Sequence, residues 1–485
     1  MPAKTGVTLA DVLRAAADRH PDRPAVTDAS TAGSLTYGEL GREAERVARF
    51  LSDRGVGRGH RIGLLAPNGL AYVPAAFGLL ATGACLVPLA HNLAPPELGR
   101  ILREIDVSGC LLWPDARPIA GSGSPVVLSG GACDGFRFHW IDRDAEGPAE
   151  FWSLNPAFVR FTSGTTASSR GVVLSHEATL ARVLAADTVL RLGEEDRILW
   201  VLPLAYHFAV TIVGYVRAGA HILMCSDTLP AALVEAVRRL RPTVLYASPL
   251  HFERMGNLES SGPLAGIRNA LSTSAPITEV VMERFERLYG VAVGQAYGII
   301  EAGLPCINLR TDGLPATSVG RPTPGYRVRL LSDGEIAVCG DGLFSAYYAP
   351  WVRRERITRD GWFPTGDIGW FDASGGLHLK GRKKTVIFVA GLKFFPEEVE
   401  ECINQFPGVK ESRVFARRHA RLGEVPCAEV ALDPVGNLDE LKLYCARMLS
   451  PYKVPVEWRT VATVARTTGG KILRQPVGDE REVGA

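Results

Sequence analysis

The sequence predicts an α/β protein with a large N-terminal domain of α/β sheets, a β-rich lobe and a small α+β C-terminal domain. Three observations support this fold class. Short apolar runs alternate with helix-period segments through most of the 485 residues. From about Gly325 the pattern changes to shorter strands and turns, and the last part of the chain has its own strand and helix pattern. The chain is also too long for one core, which suggests about three domain-sized units.

Strand-like and helix-like runs alternate in the N-terminal part. The strand-like runs are RIGLLAP (61–67), CLVPL (85–89), RILWVLP (197–203), HILMC (221–225) and TVLYAS (243–248). A helix-like run ends near Thr82, and another is AALVEAVRRL (231–240). Strand, helix and strand at this spacing predict α/β units and largely parallel sheets with helices on their faces.

Two further units follow. YRVRLLSDGEIAVCG (326–340) has a Ser-Asp-Gly turn between two alternating runs, which predicts a β-hairpin in the β-rich lobe. PEEVEECINQF (396–406) begins with Pro and acidic residues and is followed by Pro407-Gly408, which are helix start and stop signals. The boundary between the two units is predicted within GRKKT (381–385), a polar run between strand-like segments.

Composition limits the partner classes. The chain has 46% hydrophobic and 22% charged residues, and 54 basic against 52 acidic residues leave a net charge of +2. This balance favours neither nucleic acid nor an anionic membrane as a partner. The nine cysteines lie far apart without a C-x-x-C pair, so we expect buried thiols in a reducing cytoplasm rather than disulfides or a zinc site. The N-terminal segment has the pattern of neither a signal peptide nor a membrane anchor.

FTSGTTASSR (161–170) packs hydroxyl groups and a glycine between two strand-like runs, AFVRF and GVVLSH. Small side chains let backbone N–H groups approach an oxyanion, hydroxyls donate hydrogen bonds, and Arg170 supplies positive charge. The loop alone is therefore either a phosphate cradle or a flexible Ser/Thr linker. It is not a Walker loop, because no G-K-[ST] ends it.

The loop and seven other segments resemble, in order, the motifs of the adenylate-forming superfamily, which includes acyl- and aryl-CoA ligases, amino-acid adenylation domains and luciferases. The segments are TSGTTASSRG (162–171), LPLAYHF (202–208), STSAPI (272–277), AYGIIEAG (296–303), SVGRPTPG (318–325), GWFPTGD (361–367), GRKKTVIFVAGLKFFPEEVE (381–400) and ARTTGGKILR (465–474). The resemblance implies an N-terminal domain over residues 1–382, with the β-rich lobe from about 325, and a mobile C-terminal domain over 383–485. The hinge is expected near Lys384.

The resemblance also implies roles for individual residues. Lys471 is expected to stabilise the charge that builds when a carboxylate attacks the α-phosphorus, and Glu301 to hold Mg²⁺. The nucleotide-binding set comprises Thr162, Ser163, Gly164, Thr165, Thr166, Arg170, Ala275, Tyr297, Gly298, Asp367, Arg382 and Lys471. In this set Tyr297 would lie against the adenine and Asp367 would accept hydrogen bonds from the ribose hydroxyls.

The acid pocket would be bounded by His207, Phe208, Thr273, Ser274, Ala296 and Ile300, and Gly391 would border the thiol tunnel. Relatives favour glycine where Thr273, Ser274 and Ala296 stand. The added volume should narrow the acyl channel and favour a small or flat aromatic acid over a long fatty chain.

Several positions depart from the family pattern. Ala167, Ser169 and Arg170 change the phosphate loop, and Ile300 replaces a threonine that in relatives donates to the α-phosphate. A hydrogen bond to a charged group contributes about 1.5–3 kcal/mol, so adenylation should be slowed but not abolished.

The sequence therefore predicts an ATP- and Mg²⁺-dependent ligase that forms an acyl- or aryl-adenylate, releases pyrophosphate and passes the acid to coenzyme A. Three alternatives stay open. The acceptor could instead be a carrier-protein phosphopantetheine, with an acyl carrier protein as partner, or an amine. The substrate could be nitrite, as in a branch of the superfamily that diazotises arylamines. The chain could also be a nucleotide-binding homologue whose catalysis has decayed.

Overall fold

The computed structural model describes residues 8–93, 95–119, 122–141, 147–161, 171–258, 262–389, 392–419, 422–466 and 472–473. Within these ranges, the helices are α1 Leu9–Arg19, α2 Tyr37–Ser52, α3 Tyr72–Ala81, α4 Pro95–Glu104, α5 His176–Leu190, α6 Leu204–His207, α7 Val213–Ala218, α8 Pro230–Leu240, α9 Pro249–Gly256, α10 Glu279–Tyr289, α11 Pro396–Asn404 and α12 Leu438–Met448. None of them is long and apolar enough to cross a membrane.

Local sequence explains where many helices begin. Thr8 and Thr36 cap α1 and α2 through their side-chain oxygens, and an acidic residue three positions later completes each capping box. Pro230 and Pro396 stand in the first turn of α8 and α11, where a missing N–H costs nothing. The start and stop signals that predict the helix beginning at Pro396 are therefore confirmed.

The strands of the N-terminal part are β1 Pro24–Asp28, β2 Ser34–Thr36, β3 Arg61–Ala66, β4 Cys85–Ala90, β5 Gly109–Leu112, β6 Ser122–Val127, β7 Arg137–Trp140, β8 Pro156–Phe161, β9 Gly171–Ser175, β10 Arg197–Trp200, β11 His221–Met224, β12 Val244–Ala247, β13 Asn269–Ser272, β14 Val293–Ile299, β15 Gly303–Asn308 and β16 Arg321–Pro322. The remaining strands are β17 Tyr326–Leu330, β18 Glu335–Gly340, β19 Ala346–Tyr347, β20 Val352–Arg353, β21 Phe363–Phe371, β22 Leu377–Arg382, β23 Ile387–Val389, β24 Leu392–Phe394, β25 Val409–His419, β26 Gly423–Leu432 and β27 Glu457–Thr460.

Two nine-stranded sheets form the large N-terminal body. Their orders are β16-β15-β14-β13-β12-β10-β11-β1-β2 and β20-β19-β9-β8-β4-β3-β5-β7-β6. The first sheet is parallel from β1 through β11, β10, β12 and β13 to β14, as the repeated strand-helix-strand pattern predicts. In the second sheet only β5, β3, β4 and β8 are parallel neighbours, so "largely parallel" is wrong there. Its edges contain strands joined without a crossover helix, which must pair antiparallel.

The β-rich lobe is a four-stranded sheet in the order β17-β18-β21-β22, and its first two strands form the predicted hairpin. The C-terminal unit is a sheet of β24-β23-β26-β25 with β27 beside β26, together with α11 and α12. It has its own hydrophobic core, which includes Ile387, Val399, Val414 and Leu441. Eight of the nine cysteines are buried, and Cys339 is half-buried.

Candidate active site

Three predicted nucleotide-binding residues from distant motifs meet in one cluster. The Tyr297 hydroxyl on β14 donates a hydrogen bond to Asp367 Oδ2 at 2.7 Å. Asp367 on β21 also forms an ion pair with Arg382 on the neighbouring strand β22, where Nε lies 2.7 Å from Oδ1. The Asp367 side chain is 9% exposed and that of Arg382 is 53% exposed, so the guanidinium covers the carboxylate from the solvent side.

The environment of Tyr297 fixes its role as a donor. Its side chain is buried, and this burial, followed by the adjacent Asp367 carboxylate, raises the pKa of Tyr297 well above its ordinary value. The phenol therefore keeps its proton at neutral pH and holds the carboxylate in place. Each carboxylate oxygen has a second lone pair, which stays available to a ligand hydroxyl.

Glu301 lies in the tight turn between β14 and β15. The Tyr347 hydroxyl donates to Glu301 Oε1 at 2.9 Å, and no described residue donates a hydrogen bond to Oε2. One carboxylate with a free oxygen fits Mg²⁺, which prefers one or two carboxylates and completes its shell with phosphate oxygens and water. Within the described ranges no group of three or more His, Cys, Asp or Glu side chains could hold a metal by itself.

A buried arginine that sequence reasoning missed fixes this turn. Arg182 on α5 is 1% exposed. Its Nη1 donates to the Ile300 carbonyl at 3.0 Å, and its Nε and Nη2 donate to the Gly342 carbonyl at 3.1 and 2.5 Å. Nη2 also lies 3.4 Å from the Glu301 carbonyl. The available signal was an arginine inside the run LARVLAADTVL (180–190), most of whose residues are apolar.

Close backbone approach explains the glycine in this motif. A Cβ at Gly298 would lie 2.7 Å from the Gly303 carbonyl oxygen, closer than real Cβ atoms come to backbone. The strand ladder between β14 and β15 shifts register at this point, between Tyr297 and Ile299. Gly298 is thus required for the turn that presents Glu301, whatever its contact with nucleotide.

The predicted acid-pocket segment lies against an aromatic wall. The His207 ring packs edge-on to Trp200 at 5.7 Å and to Tyr246 at 6.5 Å, and these two rings stack on each other at 5.6 Å. A π-helical turn over Phe208–Ile212 follows His207. Such turns are frequent at functional sites because they re-aim side chains.

The other predicted pocket residues surround the end of β13. Thr273 is buried and its hydroxyl donates to the Ala296 carbonyl at 3.3 Å, which joins β13 to β14. Ser274 has a left-handed backbone with φ of 76°, the conformation that glycine adopts without strain. Ala275 is half-buried beside it, and Ile300 is half-buried on the far side, where Arg182 holds its carbonyl.

Lys383 fastens the segment that precedes the predicted hinge. Its ammonium forms ion pairs with Asp333 at 2.7 Å and with Glu335 at 2.8 Å. Glu335 in turn accepts a hydrogen bond from the Gly366 backbone, next to Asp367. The backbone of Lys384 lies in the 3-10 turn Lys383–Thr385, between the lobe and the C-terminal unit.

Several predicted residues lie outside the described part of the chain. They are Thr162, Ser163, Gly164, Thr165, Thr166 and Arg170, together with Gly391 and Lys471, and the loop changes Ala167 and Ser169. The flanks of two of these stretches are described. Phe161 pairs with Gly171 at the base of the phosphate loop. Leu473 donates its backbone N–H to the Ala465 carbonyl at 2.9 Å, which brings the two sides of the Lys471 segment together.

The fold and this site define a nucleotide-dependent, acid-activating enzyme of two unequal domains. The family model described as "AMP-binding enzyme" matches residues 13–348. A second model, described as "AMP-binding enzyme C-terminal domain", matches residues 398–471. The chain belongs to the AMP-binding enzyme family, and it is an ATP-dependent adenylate-forming ligase.

Curated relatives align over almost the whole chain. The sulfoacetate–CoA ligase of Cupriavidus necator is 29% identical over 493 residues, covering 96% of each protein. The feruloyl-CoA synthase of an Amycolatopsis species is 29% identical over 480 residues, covering 94% of this chain and 96% of the relative.

Solved structures confirm the fold class. ATP-bound MatB from Rhodopseudomonas palustris superposes with a TM-score of 0.82 at 23% identity, covering 96% of this chain and 97% of that chain. The o-succinylbenzoate CoA synthetase MenE from Bacillus subtilis, in complex with its acyl-adenylate intermediate, gives 0.82 at 22% identity, covering 97% and 98%.

Proposed function

We propose that this ligase activates a small or flat aromatic carboxylic acid as its adenylate, with release of pyrophosphate, and then transfers the acyl group to the thiol of coenzyme A. The observation that carries the proposal is the cluster of Tyr297, Asp367 and Arg382, which three separate motifs bring together. The names of the relatives, sulfoacetate–CoA ligase and feruloyl-CoA synthase, support coenzyme A as acceptor.

Binding of the nucleotide would use the polar cluster and the phosphate loop. Asp367 would accept hydrogen bonds from the ribose hydroxyls through its remaining lone pairs, while Arg382 holds the carboxylate in place. Tyr297 would present its ring to the adenine, with Ala275 and Gly298 bordering the same strand ends. The hydroxyls of 162–166 and Arg170 would surround the β- and γ-phosphates.

Glu301 is the residue that would hold Mg²⁺, with Tyr347 orienting its carboxylate. The ion would supply positive charge at the phosphate oxygens. Arg182 contributes indirectly, because its hydrogen bonds fix the backbone from which the Glu301 side chain extends.

Catalysis of the first step would fall to Lys471. Negative charge builds on the phosphoryl oxygens as the acid attacks, and a positioned ammonium stabilises that state more than the ground state. We propose that residues 1–382 and 383–485 are the two domains and that rotation near Lys384 removes Lys471 after adenylation. The surface around Gly391 would then face the site and admit the thiol.

The aromatic wall supports a short substrate. Trp200 is fully buried, and Tyr246 is 1% exposed. Their rings stack on each other and pack against His207, and both are buried. A small acid, or a flat ring that stacks against His207, fits this arrangement better than a fatty acid.

Acid-dependent release of pyrophosphate from ATP tests the proposal. Wild type should respond to at least one acid in a panel of short aliphatic and aromatic acids, with nitrite plus an arylamine included. Lys471→Ala should lower the rate by at least about 100-fold, as expected for loss of a charge that acts in the transition state. Lys442→Ala is the matched control, because this lysine is half-exposed on α12 and its ion pair among the described residues is with Asp439, across one helical turn.

The acceptor is identified in a second assay. The adenylate formed by wild type is offered coenzyme A, a phosphopantetheinylated carrier protein or an amine, and the acylated product is measured by mass spectrometry. Transfer to coenzyme A supports the proposal. Exclusive transfer to another acceptor, or no pyrophosphate release with any acid, overturns it.

A further inference from the structure

Arg160 is a buried cation beside the acid-pocket segment. It lies on β8, directly before the phosphate loop, and is 3% exposed. Alternate residues of a strand face the same side, so Arg160 shares a face with Phe158. Phe158 packs against Phe208 at 6.2 Å, and Tyr72 of α3 packs against the same ring at 6.0 Å. Arg160 therefore faces the segment that carries Phe208, and its Nη2 donates to the Tyr206 carbonyl.

Among the described residues, Arg160 has no close counter-ion. No described carboxylate lies within ion-pair distance of it, and the nearby charges are the like charge of Arg182 and, at longer range, Glu301. Burial, followed by Arg182, lowers the pKa of Arg160 to about 10, so the guanidinium is still charged at neutral pH. A buried, uncompensated charge is strongly unfavourable, which points to an anion that binds there.

Two donors on this face lack acceptors. Among the described residues, neither Arg160 Nη1 nor the Tyr72 hydroxyl has a hydrogen-bond partner, although both atoms are buried. Tyr72 is 1% exposed, and its hydroxyl and the Arg160 charge interact electrostatically. Two neighbouring orphan donors, one of them charged, match the oxygens of a carboxylate or sulfonate. A water molecule would accept both hydrogen bonds but would leave the charge uncompensated.

We propose that Arg160 and Tyr72 bind a second anionic group of the substrate, at the end remote from the carboxylate that is activated. The substrate class is then a short or aromatic acid that carries a further carboxylate or sulfonate. This inference rests on the proposed function, because it assigns the Tyr206–Phe208 segment to the acid pocket. Arg160 acts here as a specificity residue and takes no part in the chemistry.

Matched pairs of acids test the proposal with wild type. The pairs are succinate and butyrate, malonate and propionate, sulfoacetate and methylsulfonylacetate (whose sulfone is uncharged), and phthalate and benzoate. For at least one pair, kcat/KM for pyrophosphate release should favour the dianion by roughly 100-fold, the size of effect expected for a buried, hydrogen-bonded charge pair. The pair that responds identifies the anion as carboxylate or sulfonate and the scaffold as aliphatic or aromatic.

Variants then assign the preference to the two donors. Arg160→Met should abolish the preference and raise the dissociation constant of the dianion, measured by calorimetry without nucleotide, while KM for ATP stays unchanged. Arg160→Lys should retain part of the preference, and Tyr72→Phe should reduce it without abolishing it. Arg160→Met should still fold, because an apolar side chain in place of an uncompensated buried charge is often tolerated. Its urea unfolding curve checks this.

Arg61→Met is the matched control. Arg61 is 2% exposed on β3 of the same sheet, where it donates to the Ile105 and Asp106 carbonyls. This variant should lose stability and keep the substrate preference. Monoanionic acids used as well as dianions by wild type would overturn the inference while leaving the proposed function intact. An equal loss for both classes in Arg160→Met would mean that Arg160 binds the activated carboxylate, and a raised KM for ATP would mean that it binds phosphate. Either result overturns the inference.

Discussion

Replacement of Arg182 by methionine removes the donors that hold the turn carrying Glu301. The Gly342 carbonyl would lose both of its contacts with Arg182, and the Ile300 carbonyl would lose its contact at 3.0 Å. The Glu301 carbonyl would keep a partner, because the Phe344 backbone N–H donates to it at 2.7 Å. The Gly342 carbonyl, in a buried residue, and the Ile300 carbonyl, in a half-buried one, thus lose these donors, at about 1–3 kcal/mol for a carbonyl left unsatisfied in the interior.

The expected loss of stability combines the cost of these two carbonyls with one opposing effect, the desolvation of the arginine. Arg182→Met also relieves the desolvation of a charge whose only nearby carboxylate in the described structure is at longer range. We therefore expect the free energy of unfolding to fall by about 2–4 kcal/mol. This is the lower part of the range expected for two carbonyls that lose their donors, because removal of the buried charge partly offsets that loss. The Mg²⁺ concentration for half-maximal activity should rise, because the turn that carries Glu301 loses the contacts of Arg182 with the Ile300 and Gly342 carbonyls.

Urea unfolding followed by tryptophan fluorescence measures the first effect, and pyrophosphate release at varied Mg²⁺ measures the second. Arg182→Lys is the matched variant, since an ammonium keeps the charge but cannot reach all of these carbonyls, and its loss should be intermediate. A stability within about 0.5 kcal/mol of wild type, the range of ordinary surface substitutions, would refute this account of Arg182.

Three further predictions concern other contacts. Asp367→Asn loses charge-assisted hydrogen bonds, including the one with Arg382, so KM for ATP should rise about 10- to 100-fold. An unchanged KM in the pyrophosphate-release assay would contradict this. Lys383 lowers the pKa of Asp333 below 3.8, so the stabilisation by this pair is present above about pH 4 and is lost as the pH falls through the lowered value. The urea midpoints of wild type and Lys383→Met should therefore converge in acid. A difference between the midpoints that stays constant with pH would contradict this. Burial, and then nearby Glu411, raise the pKa of Glu253 above 4.5. Glu253→Gln should therefore raise the free energy of unfolding at pH 7, and this gain should disappear below pH 4.5. A lower free energy of unfolding at pH 7 would contradict the prediction.

Much of the fold could be predicted because local pattern and global structure agree. The runs at 61–67 and 85–89 are strands with the predicted helix between them, and the Ser-Asp-Gly turn joins β17 to β18. Pairing direction in the second sheet could not be predicted in the same way. It depends on whether a connection crosses over the sheet, and this is not visible when strands follow each other through loops.

Candidate site residues were predictable where a motif names them and not where tertiary contact creates the environment. Tyr297 and Asp367 follow from their motifs, but the hydrogen bond between them joins residues that are 70 positions apart. Arg160 and Arg182 have no motif. Only the structure shows that both guanidinium groups are buried, that one holds backbone carbonyls and that the other keeps an unsatisfied donor.

Lys383 and Glu335 show a further limit. Their ion pair connects the segment before the hinge to β18, the neighbour of the strand that carries Asp367. Both residues are charged and lie in polar stretches of the sequence. Neither residue is among the site residues predicted from the sequence. The two residues can pair because the sheet order β18-β21-β22 brings the end of β22 near the start of β18. Sheet order is not visible in the sequence.

The central claim is that a carboxylate oxygen of the substrate attacks the α-phosphorus of ATP. An acid that wild type uses, labelled with ¹⁸O in its carboxylate, tests this directly once the acyl group has been transferred and the AMP is analysed by mass spectrometry. The account predicts that one labelled oxygen is carried into AMP. Unlabelled AMP, or ADP as the nucleotide product, would contradict it.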